Sequence, residues 1–166
     1  DPDTTEARYL EVIHGKTAKM FEAAAECSAS LTGDQWRGMS VTYARHLGAA
    51  FQIIDDVLDY TSSADVMGKN VGDDLAEGKP TLPLIRAMEI ASPEDAGMVR
   101  NAILTGGLER LDDIIALVQQ CGALDYSLAR AQAEADAAIA AVATLPDTPH
   151  RAALEGLARL AVARNS

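Results

Sequence analysis

The densest group of chemically capable side chains is a run of three aspartates near the end of a long apolar segment. Asp55, Asp56 and Asp59 occur in the order D-D-x-x-D, and residues three and four apart share one face of a helix. Carboxylates at this spacing repel one another, and the helix macrodipole disfavours negative charge near a C-terminus. Because stability alone gives no reason for this pattern, it predicts that the aspartates bind a cation.

Apolar residues fill most of the helix positions around these aspartates. They are Phe51, Ile53, Ile54, Val57 and Leu58. This predicts a largely buried helix whose acids face a cavity or a partner charge, because buried carboxylates need pairing or a metal. Mg²⁺ is a hard cation that proteins hold with one or two carboxylates plus substrate phosphates. We therefore predict a magnesium site, and the alternative is a solvated, acidic helix end.

Two lysines follow in the glycine-rich stretch directly after the aspartates. Lys69 comes after Gly68, and Lys79 comes after Gly78. Glycine allows close approach of the backbone to a ligand, and ammonium groups near metal-binding carboxylates fit a polyanion that the metal bridges. A single lysine is more commonly a solvated surface residue, but the pair together with the acids predicts a polyanionic ligand.

Helices must position these side chains, because no segment alternates with a period of two. Apolar residues at steps of three and four predict a first helix that Asp3 caps and that Gly33 ends. A second helix should run to about residue 60, followed by a loop at 61–79 with at most a short helical turn. The remaining predicted helices cover residues 80–91, 92–105, 108–120, 124–144 and 148–163. We therefore predict an all-α fold.

Charge and cysteine usage exclude several classes of partner. The net charge of −11 repels nucleic acid and anionic lipid, and no apolar run is long enough for a membrane span. Cys27 and Cys121 are far apart and form no C-x-x-C pair, which favours a reduced, cytoplasmic setting. The three histidines, His14, His46 and His150, lack metal-binding spacing, so we predict that they are structural.

Several segments, taken in order, resemble the trans-isoprenyl (polyprenyl) diphosphate synthase family. F-Q-I-I-D-D-V-L-D-Y resembles the family's second aspartate-rich motif, and Y-L-E-V-I-H-G-K-T-A-K-M-F-E-A-A-A is similar to its K-T helix. G-K-N-V-G-D-D-L-A-E-G-K-P-T-L-P resembles the segment that follows the motif, especially in long-chain octaprenyl and decaprenyl synthases. The resemblance implies the C-terminal half of the isoprenoid synthase helical bundle, with residues 1–166 forming part of a single synthase domain.

The resemblance also implies a role for each residue of a shared site. Mg²⁺ would be held by Asp55, Asp56 and Asp59 with support from Asp74, and the allylic diphosphate would be bound by Lys16, Lys69 and Lys79. The allylic carbon would lie beside Thr17 and Gln52, and Phe51 would also bind the substrate. Of these, Lys16, Thr17, Gln52 and Asp55 would be catalytic, with Thr17 and Gln52 steadying the allylic cation.

The implied reaction is a prenyl transfer that lengthens an all-trans chain. An allylic diphosphate ionises, the double bond of isopentenyl diphosphate attacks, and a proton is lost; repetition gives a long polyprenyl diphosphate for isoprenoid or quinone side-chain synthesis. The family's first aspartate-rich motif, its G-G-K segment and its arginine pair do not occur in this sequence. We expect them upstream of Asp1, so the 166-residue chain alone should have no synthase activity.

The family usually forms homodimers, and apolar helix faces without a partner would favour self-association. The chain could instead be a non-catalytic partner subunit of a heteromeric synthase, which the upstream coding sequence would distinguish. It could also be an unrelated acidic helical protein that binds a divalent ion without any dependence on diphosphate.

Overall fold

The computed structural model describes residues 1–61, 72–107 and 109–164, apart from the side chain of Thr32. α-Helices occupy most of these residues and no β-strand occurs among them, which confirms the all-α prediction. In chain order the helices are α1 Glu6–Ile13, α2 Lys19–Thr32, α3 Arg37–Thr61, α4 Asp73–Ala76, α5 Leu82–Ile90, α6 Pro93–Thr105, α7 Leu111–Gln120, α8 Ala123–Val142 and α9 Pro149–Ala163. A 3₁₀ turn, Asp34–Trp36, precedes α3.

Local sequence signals place several helix ends correctly. Ser92 and Thr148 act as N-caps, and each side chain accepts a hydrogen bond from the main-chain N–H three residues later. Gly106 ends α6 in the left-handed conformation, with φ of 63°, where a residue with a Cβ would be strained. The loop predicted at residues 61–79 contains the short helix α4, and residues 62–71 lie outside the described part of the chain.

The predicted cap of the first helix is wrong. Thr5 Oγ1, rather than Asp3, accepts the hydrogen bond from a first-turn amide, that of Arg8, at 3.3 Å. Asp3 instead accepts a hydrogen bond from Arg100 at 2.7 Å. The capping-box spacing identified the right region, but the long-range cation of α6 attracts the Asp3 carboxylate away from the helix start.

A π-helical turn, His14–Ala18, interrupts the first predicted helix between α1 and α2. In this turn the Lys19 N–H donates to the His14 carbonyl oxygen, five residues back instead of four. The sequence predicted a continuous helix through this point. Single π-helical turns are uncommon, and they frequently occur at functional sites.

The chain folds as two compact units, each with its own core. The first contains Asp1–Tyr9 and Asp55–Leu128, and the second contains Leu10–Ile54 and Ala129–Ser166. The buried core of the first unit consists of Tyr60, Leu75, Leu84, Ala87, Val99, Ala102, Ile103, Ile114, Val118 and Ala123. Burying a large apolar side chain such as Leu84 stabilises the fold by about 1.5–3 kcal/mol, and Tyr60 in this core fixes the end of α3.

The core of the second unit joins α3 to α8 and α9. Its buried residues are Tyr43, Leu47, Ala138, Val142, Ala158 and Ala161. The alanines allow close helix packing, and the Tyr43 hydroxyl donates to the Leu154 carbonyl oxygen at 2.8 Å. His46 Nδ1 lies 2.7 Å from Glu134 Oε2, so this histidine has the structural role predicted from the sequence.

A close backbone approach also fixes α3 against the chain around Ala18. A Cβ added at Gly48 would lie 2.7 Å from the Ala18 Cα and 3.2 Å from the Phe21 ring. Main-chain atoms cannot yield as a flexible side chain can. Glycine is therefore required at position 48 by packing, although it weakens the helix itself.

We predict opposite effects for two glycine-to-alanine substitutions in the second unit. Gly48→Ala should lower the free energy of unfolding by about 1–3 kcal/mol, because the methyl group overpacks the contact with Ala18. Gly156→Ala lies within α9, where an added Cβ meets nothing within 4 Å, and should raise stability by about 0.5–1 kcal/mol through helix propensity. Urea denaturation measures both, and stabilisation by Gly48→Ala would contradict the described contact.

A buried carboxylate links the start of α2 to α3. The Glu22 side chain is 3% exposed and accepts hydrogen bonds from His14 at 2.6 Å, Lys19 at 2.8 Å and Arg45 at 2.6 Å. Burial alone would raise the pKa of Glu22, but the hydrogen bonds from these three groups outweigh it and lower the pKa from 4.5 to about 2. The cluster therefore stabilises the fold while Glu22 is ionised.

We predict that this stabilisation is lost in acid. The contribution of Glu22 is complete above its ordinary pKa of 4.5 and decreases as the pH falls towards 2, because protonation of the carboxylate weakens the hydrogen bonds that it accepts. Glu22→Gln should cost roughly 2 kcal/mol at neutral pH, and the difference from wild type should shrink below pH about 4.5. Denaturation across a pH series measures this, and a constant difference would refute the assignment.

Within the described part of the chain, no helix combines the length and the apolar character that crossing a membrane requires. Cys27 and Cys121 are free thiols.

Candidate functional site

The end of α3 places the three aspartates of the D-D-x-x-D pattern against the core of the first unit. Val57 and Tyr60 are almost fully buried, so the helix is anchored as the sequence predicted. Asp55 and Asp59 are half-buried, whereas Asp56 is only 4% exposed. The three carboxylates therefore have different surroundings, although they belong to one motif.

Asp56 is held by a buried tyrosine. The Tyr9 hydroxyl donates a hydrogen bond to Asp56 Oδ2 at 2.6 Å, and Tyr9 is itself 4% exposed. Burial, followed by the charge of Asp56, raises the pKa of Tyr9 well above its ordinary value. The hydroxyl consequently keeps its proton and remains a donor to the carboxylate. Sequence reasoning missed Tyr9, because nothing local connects two residues 47 positions apart.

Asp59 is brought to the start of α4. The Asp74 N–H donates to Asp59 Oδ2 at 3.3 Å, and the Gly72 N–H donates to the Asp59 carbonyl oxygen at 3.2 Å. Burial raises the pKa of Asp59 to about 6, and the negative charges of Asp74 and Asp73 add to the increase. Asp59 and Asp74 thus form a pair of crowded carboxylates, which is a donor set that suits a hard divalent cation.

Two glycines fix α4 in this position through reciprocal backbone approaches. A Cβ at Gly78 would lie 2.8 Å from the Ile103 carbonyl oxygen, and one at Gly106 would lie 2.7 Å from the Ala76 carbonyl oxygen. Both glycines have positive φ. The turn after α4 and the end of α6 therefore approach more closely than side chains would allow, which positions Lys79.

Lys79 is paired with carboxylates of its own segment. Its ammonium group lies 2.8 Å from Asp74 Oδ1 and 2.6 Å from Glu77 Oε2. Hydrogen bonds to Asp74 and Glu77 raise the pKa of Lys79 above its ordinary value, so it stays cationic. The structure brings Lys79 to the predicted carboxylate Asp74, and Glu77 is an additional partner.

A complete metal shell is not assembled by side chains of the described residues. Among them, no group of three or more aspartate, glutamate, histidine or cysteine residues could hold a metal ion. Asp59 and Asp74 alone supply the number of carboxylates that Mg²⁺ typically takes from a protein, with phosphate oxygens and water completing its coordination. Metal binding by Asp55, Asp56, Asp59 and Asp74 stays a prediction.

In the second unit the structure joins two of the residues expected beside an allylic group. The Thr17 hydroxyl donates to Gln52 Oε1 at 2.7 Å. The Phe51 ring packs on Phe21 with centroids 5.8 Å apart, and the Arg164 guanidinium lies 4.2 Å above the Phe51 ring. Arg164 was not identified from the sequence, because a C-terminal arginine carries no local signal.

Of the other two predicted lysines, only Lys16 lies among the described residues. Lys16 lies in the π-helical turn, is exposed, and forms no ion pair within the described part of its own unit. Lys69 lies outside the described residues. Because Lys16, Thr17 and Gln52 belong to the second unit and the aspartates to the first, the convergence of both groups on one ligand remains a prediction.

Comparison with known proteins identifies the family to which the chain belongs. The family model described as polyprenyl synthetase matches residues 1–120. The chain therefore belongs to the polyprenyl synthetase family.

Two of the most similar relatives are an octaprenyl and a nonaprenyl diphosphate synthase. The chain is 52% identical to the octaprenyl diphosphate synthase of Escherichia coli (strain K12), over 99% of this chain and 52% of the relative. It is also 52% identical to the all-trans-nonaprenyl-diphosphate synthase (geranyl-diphosphate specific) of Rhodobacter capsulatus, over 98% of this chain and 50% of the relative. The chain thus spans about half the length of these curated relatives.

Solved structures agree with this assignment. A polyprenyl synthase from Caulobacter crescentus CB15, complexed with calcium and isoprenyl diphosphate, superposes with a TM-score of 0.92 at 40% identity and covers 100% of this chain and 52% of its own. A decaprenyl diphosphate synthase from Rhodobacter capsulatus superposes with a TM-score of 0.89 at 36% identity, with the same coverage. These similarities confirm the family resemblance and the isoprenoid synthase fold inferred from the sequence.

We predict that the Tyr9 hydrogen bond contributes more stability than a comparable bond to a neutral acceptor. Tyr9→Phe should lower the free energy of unfolding by about 1.5–3 kcal/mol, because it leaves the buried Asp56 carboxylate without this donor. Tyr43→Phe removes a hydroxyl that donates to a carbonyl oxygen, and should cost about 0.5–1.5 kcal/mol. Urea denaturation of both variants compares them, and equal losses would argue against an ionised Asp56.

Proposed function

We propose that this chain supplies the magnesium-binding and allylic-diphosphate-binding part of a long-chain all-trans polyprenyl diphosphate synthase. The observation that carries the proposal is the placement of the half-buried Asp59 beside Asp74: burial first, and then the charge of Asp74, raises the pKa of Asp59 to about 6. Such crowding is unfavourable without a ligand and is relieved by a divalent cation. The names of the relatives supply the reaction class.

Different residues of the chain would bind the metal ion and the diphosphate. Asp55, Asp56, Asp59 and Asp74 would hold Mg²⁺, and Lys16, Lys69 and Lys79 would contact diphosphate oxygens. When bound, Mg²⁺ stabilises the charge that develops on the departing diphosphate. Lys79, which is held by Asp74, would add positive charge at a fixed place and so cost no reorganisation during the reaction.

Thr17 and Gln52 would act on the hydrocarbon end of the same substrate. Because the Thr17 proton is donated to Gln52 Oε1, the Thr17 oxygen can present lone pairs to an electron-deficient carbon. This arrangement would steady an allylic cation electrostatically without forming a bond to it. Phe51 would lie beside the chain of the substrate, since its ring is already part of an aromatic pair with Phe21.

Synthesis by a whole enzyme would require a second set of residues. The family's first aspartate-rich motif and isopentenyl diphosphate site do not occur in residues 1–166. We therefore propose that the chain is the C-terminal part of a synthase domain, which binds an allylic diphosphate but does not turn over alone. The relatives are named as synthases, which gives no support to the alternative of a non-catalytic partner subunit.

Calorimetric titration of the chain with a non-ionising allylic thiolodiphosphate tests the proposal. Binding should require Mg²⁺, and Asp59→Asn should weaken it at least about tenfold, or about 1.4 kcal/mol, because a metal ligand is lost. The same variant should fold normally, since it removes a carboxylate whose ionisation is disfavoured. Thermal denaturation checks that the loss of binding is not a loss of structure.

A matched control uses an exposed aspartate of the same unit. Asp113 forms an ion pair with Arg110 at the start of α7, and Asp113→Asn should leave binding unchanged. Binding that is independent of Mg²⁺, or equally weakened by both variants, would refute the proposal. Binding of Mg²⁺ without any effect of the diphosphate would support a simple divalent-ion site instead.

We also propose that the chain forms homodimers. Met20, Leu31, Leu104 and Leu160 are large apolar side chains that are at least 61% exposed, and exposed apolar surface favours association. Sedimentation equilibrium should give twice the chain mass of 17.5 kDa. A monomer at micromolar concentration would contradict this.

A further inference from the structure

The π-helical turn at residues 14–18 needs support from the rest of the structure. Its wide hydrogen bond, from the Lys19 N–H to the His14 carbonyl oxygen, replaces the tighter pattern that helices normally adopt, and such turns rarely persist without a reason. The turn contains Lys16 and Thr17, which are the residues that the proposed function assigns to the diphosphate and the allylic carbon. The contacts that hold this turn therefore also determine the positions of the Lys16 and Thr17 side chains.

One side of the turn is held by Glu22. His14 is the first residue of the turn and Lys19 follows its last residue, and both donate hydrogen bonds to the Glu22 carboxylate. The His14 bond is 2.6 Å long and spans eight residues, so it bridges the whole turn. Glu22 is ionised at neutral pH, and a carboxylate only accepts, so His14 Nε2 must be the donor.

The other side of the turn is fixed on α3. Arg45, Gly48 and Gln52 are spaced by three and four residues, which places them on one face of that helix. Arg45 donates to Glu22, Gly48 lies against the Ala18 backbone, and Gln52 accepts the Thr17 hydroxyl. The turn is therefore attached directly to α3 at Gly48 and Gln52, and indirectly at Arg45 through Glu22 of α2. The His14–Glu22 bond closes the turn along its own chain.

We propose that the His14–Glu22 hydrogen bond positions the π-helical turn so that Lys16 and Thr17 meet an allylic diphosphate. His14 and Glu22 are positioning residues in this proposal, which rests on the proposed function. Glu22 is held by Lys19 and Arg45 as well, so losing His14 should relax the turn without releasing α2 from α3. The expected result is a chain that folds but binds the diphosphate less well.

A matched histidine distinguishes positioning from general stabilisation. His46 Nδ1 contacts Glu134 Oε2 at 2.7 Å, which is a histidine–glutamate bond in the same unit between α3 and α8. His14→Ala and His46→Ala each remove one such bond. His14→Gln is the rescue variant, because its side-chain amide can still donate to Glu22.

The experiment measures amide hydrogen exchange and ligand binding on the same variants of the 166-residue chain. His14→Ala should speed exchange of the Lys19 amide about tenfold, and should weaken binding of Mg²⁺ with the allylic thiolodiphosphate by about the same factor. His14→Gln should restore both within about twofold. His46→Ala should lower thermal stability, but it should change neither the exchange rate of the Lys19 amide nor ligand binding, because its bond to Glu134 lies away from the turn.

The outcomes separate this inference from the function on which it rests. If the wild-type chain binds the diphosphate and His14→Ala binds it equally well, the positioning role is overturned. This holds whether or not exchange of the Lys19 amide becomes faster. Equal loss of binding in His46→Ala would overturn it as well, because the effect would then reflect stability alone. If the wild-type chain bound no diphosphate, the proposed function would fail, and the role of the turn in binding would fail with it. The exchange rate of the Lys19 amide would still decide whether His14 holds the turn.

Discussion

Negative charge concentrated at the end of α3 is the constraint that governs the first unit. The helix macrodipole and partial burial both oppose carboxylates there. Burial, together with the charges of Asp74 and Asp73, raises the pKa of Asp59 to about 6. The surrounding structure compensates each carboxylate differently. The buried Tyr9 hydroxyl donates to Asp56, the Asp74 main-chain N–H donates to the Asp59 side chain, and Lys79 pairs with the Asp74 carboxylate.

In the second unit the main constraint is different, because the irregular π-helical turn must pack against the regular helix α3. Gly48 permits the contact, and polar bonds at Arg45 and Gln52 lie on either side of it along α3. A glycine at this contact weakens α3 slightly, but the packed neighbours and the buried Glu22 cluster offset that weakness. The stability of the second unit and the position of Lys16 therefore depend on the same few contacts.

Short-range patterns predicted the fold well. The D-D-x-x-D helix, the caps at Ser92 and Thr148 and the helix ends at glycine follow from local rules, and the structure has them. The π-helical turn could not be foreseen, because a single extra residue hardly disturbs the apolar spacing of a helix. The Tyr9–Asp56 and Thr17–Gln52 pairs join residues 47 and 35 positions apart, and only tertiary packing decides such partners.

The π-helical turn has a consequence for comparing chain lengths among relatives. Each residue advances an α-helix by about 100° around its axis, and a wide turn accommodates one residue more than a regular turn would. Because the turn absorbs that residue, removing one residue between positions 14 and 18 would restore regular winding and leave the helix faces on both sides in place. A single-residue gap in an alignment of this stretch would therefore signal loss of the π-helical turn, and with it a different presentation of residues 16 and 17, without a change of helix face.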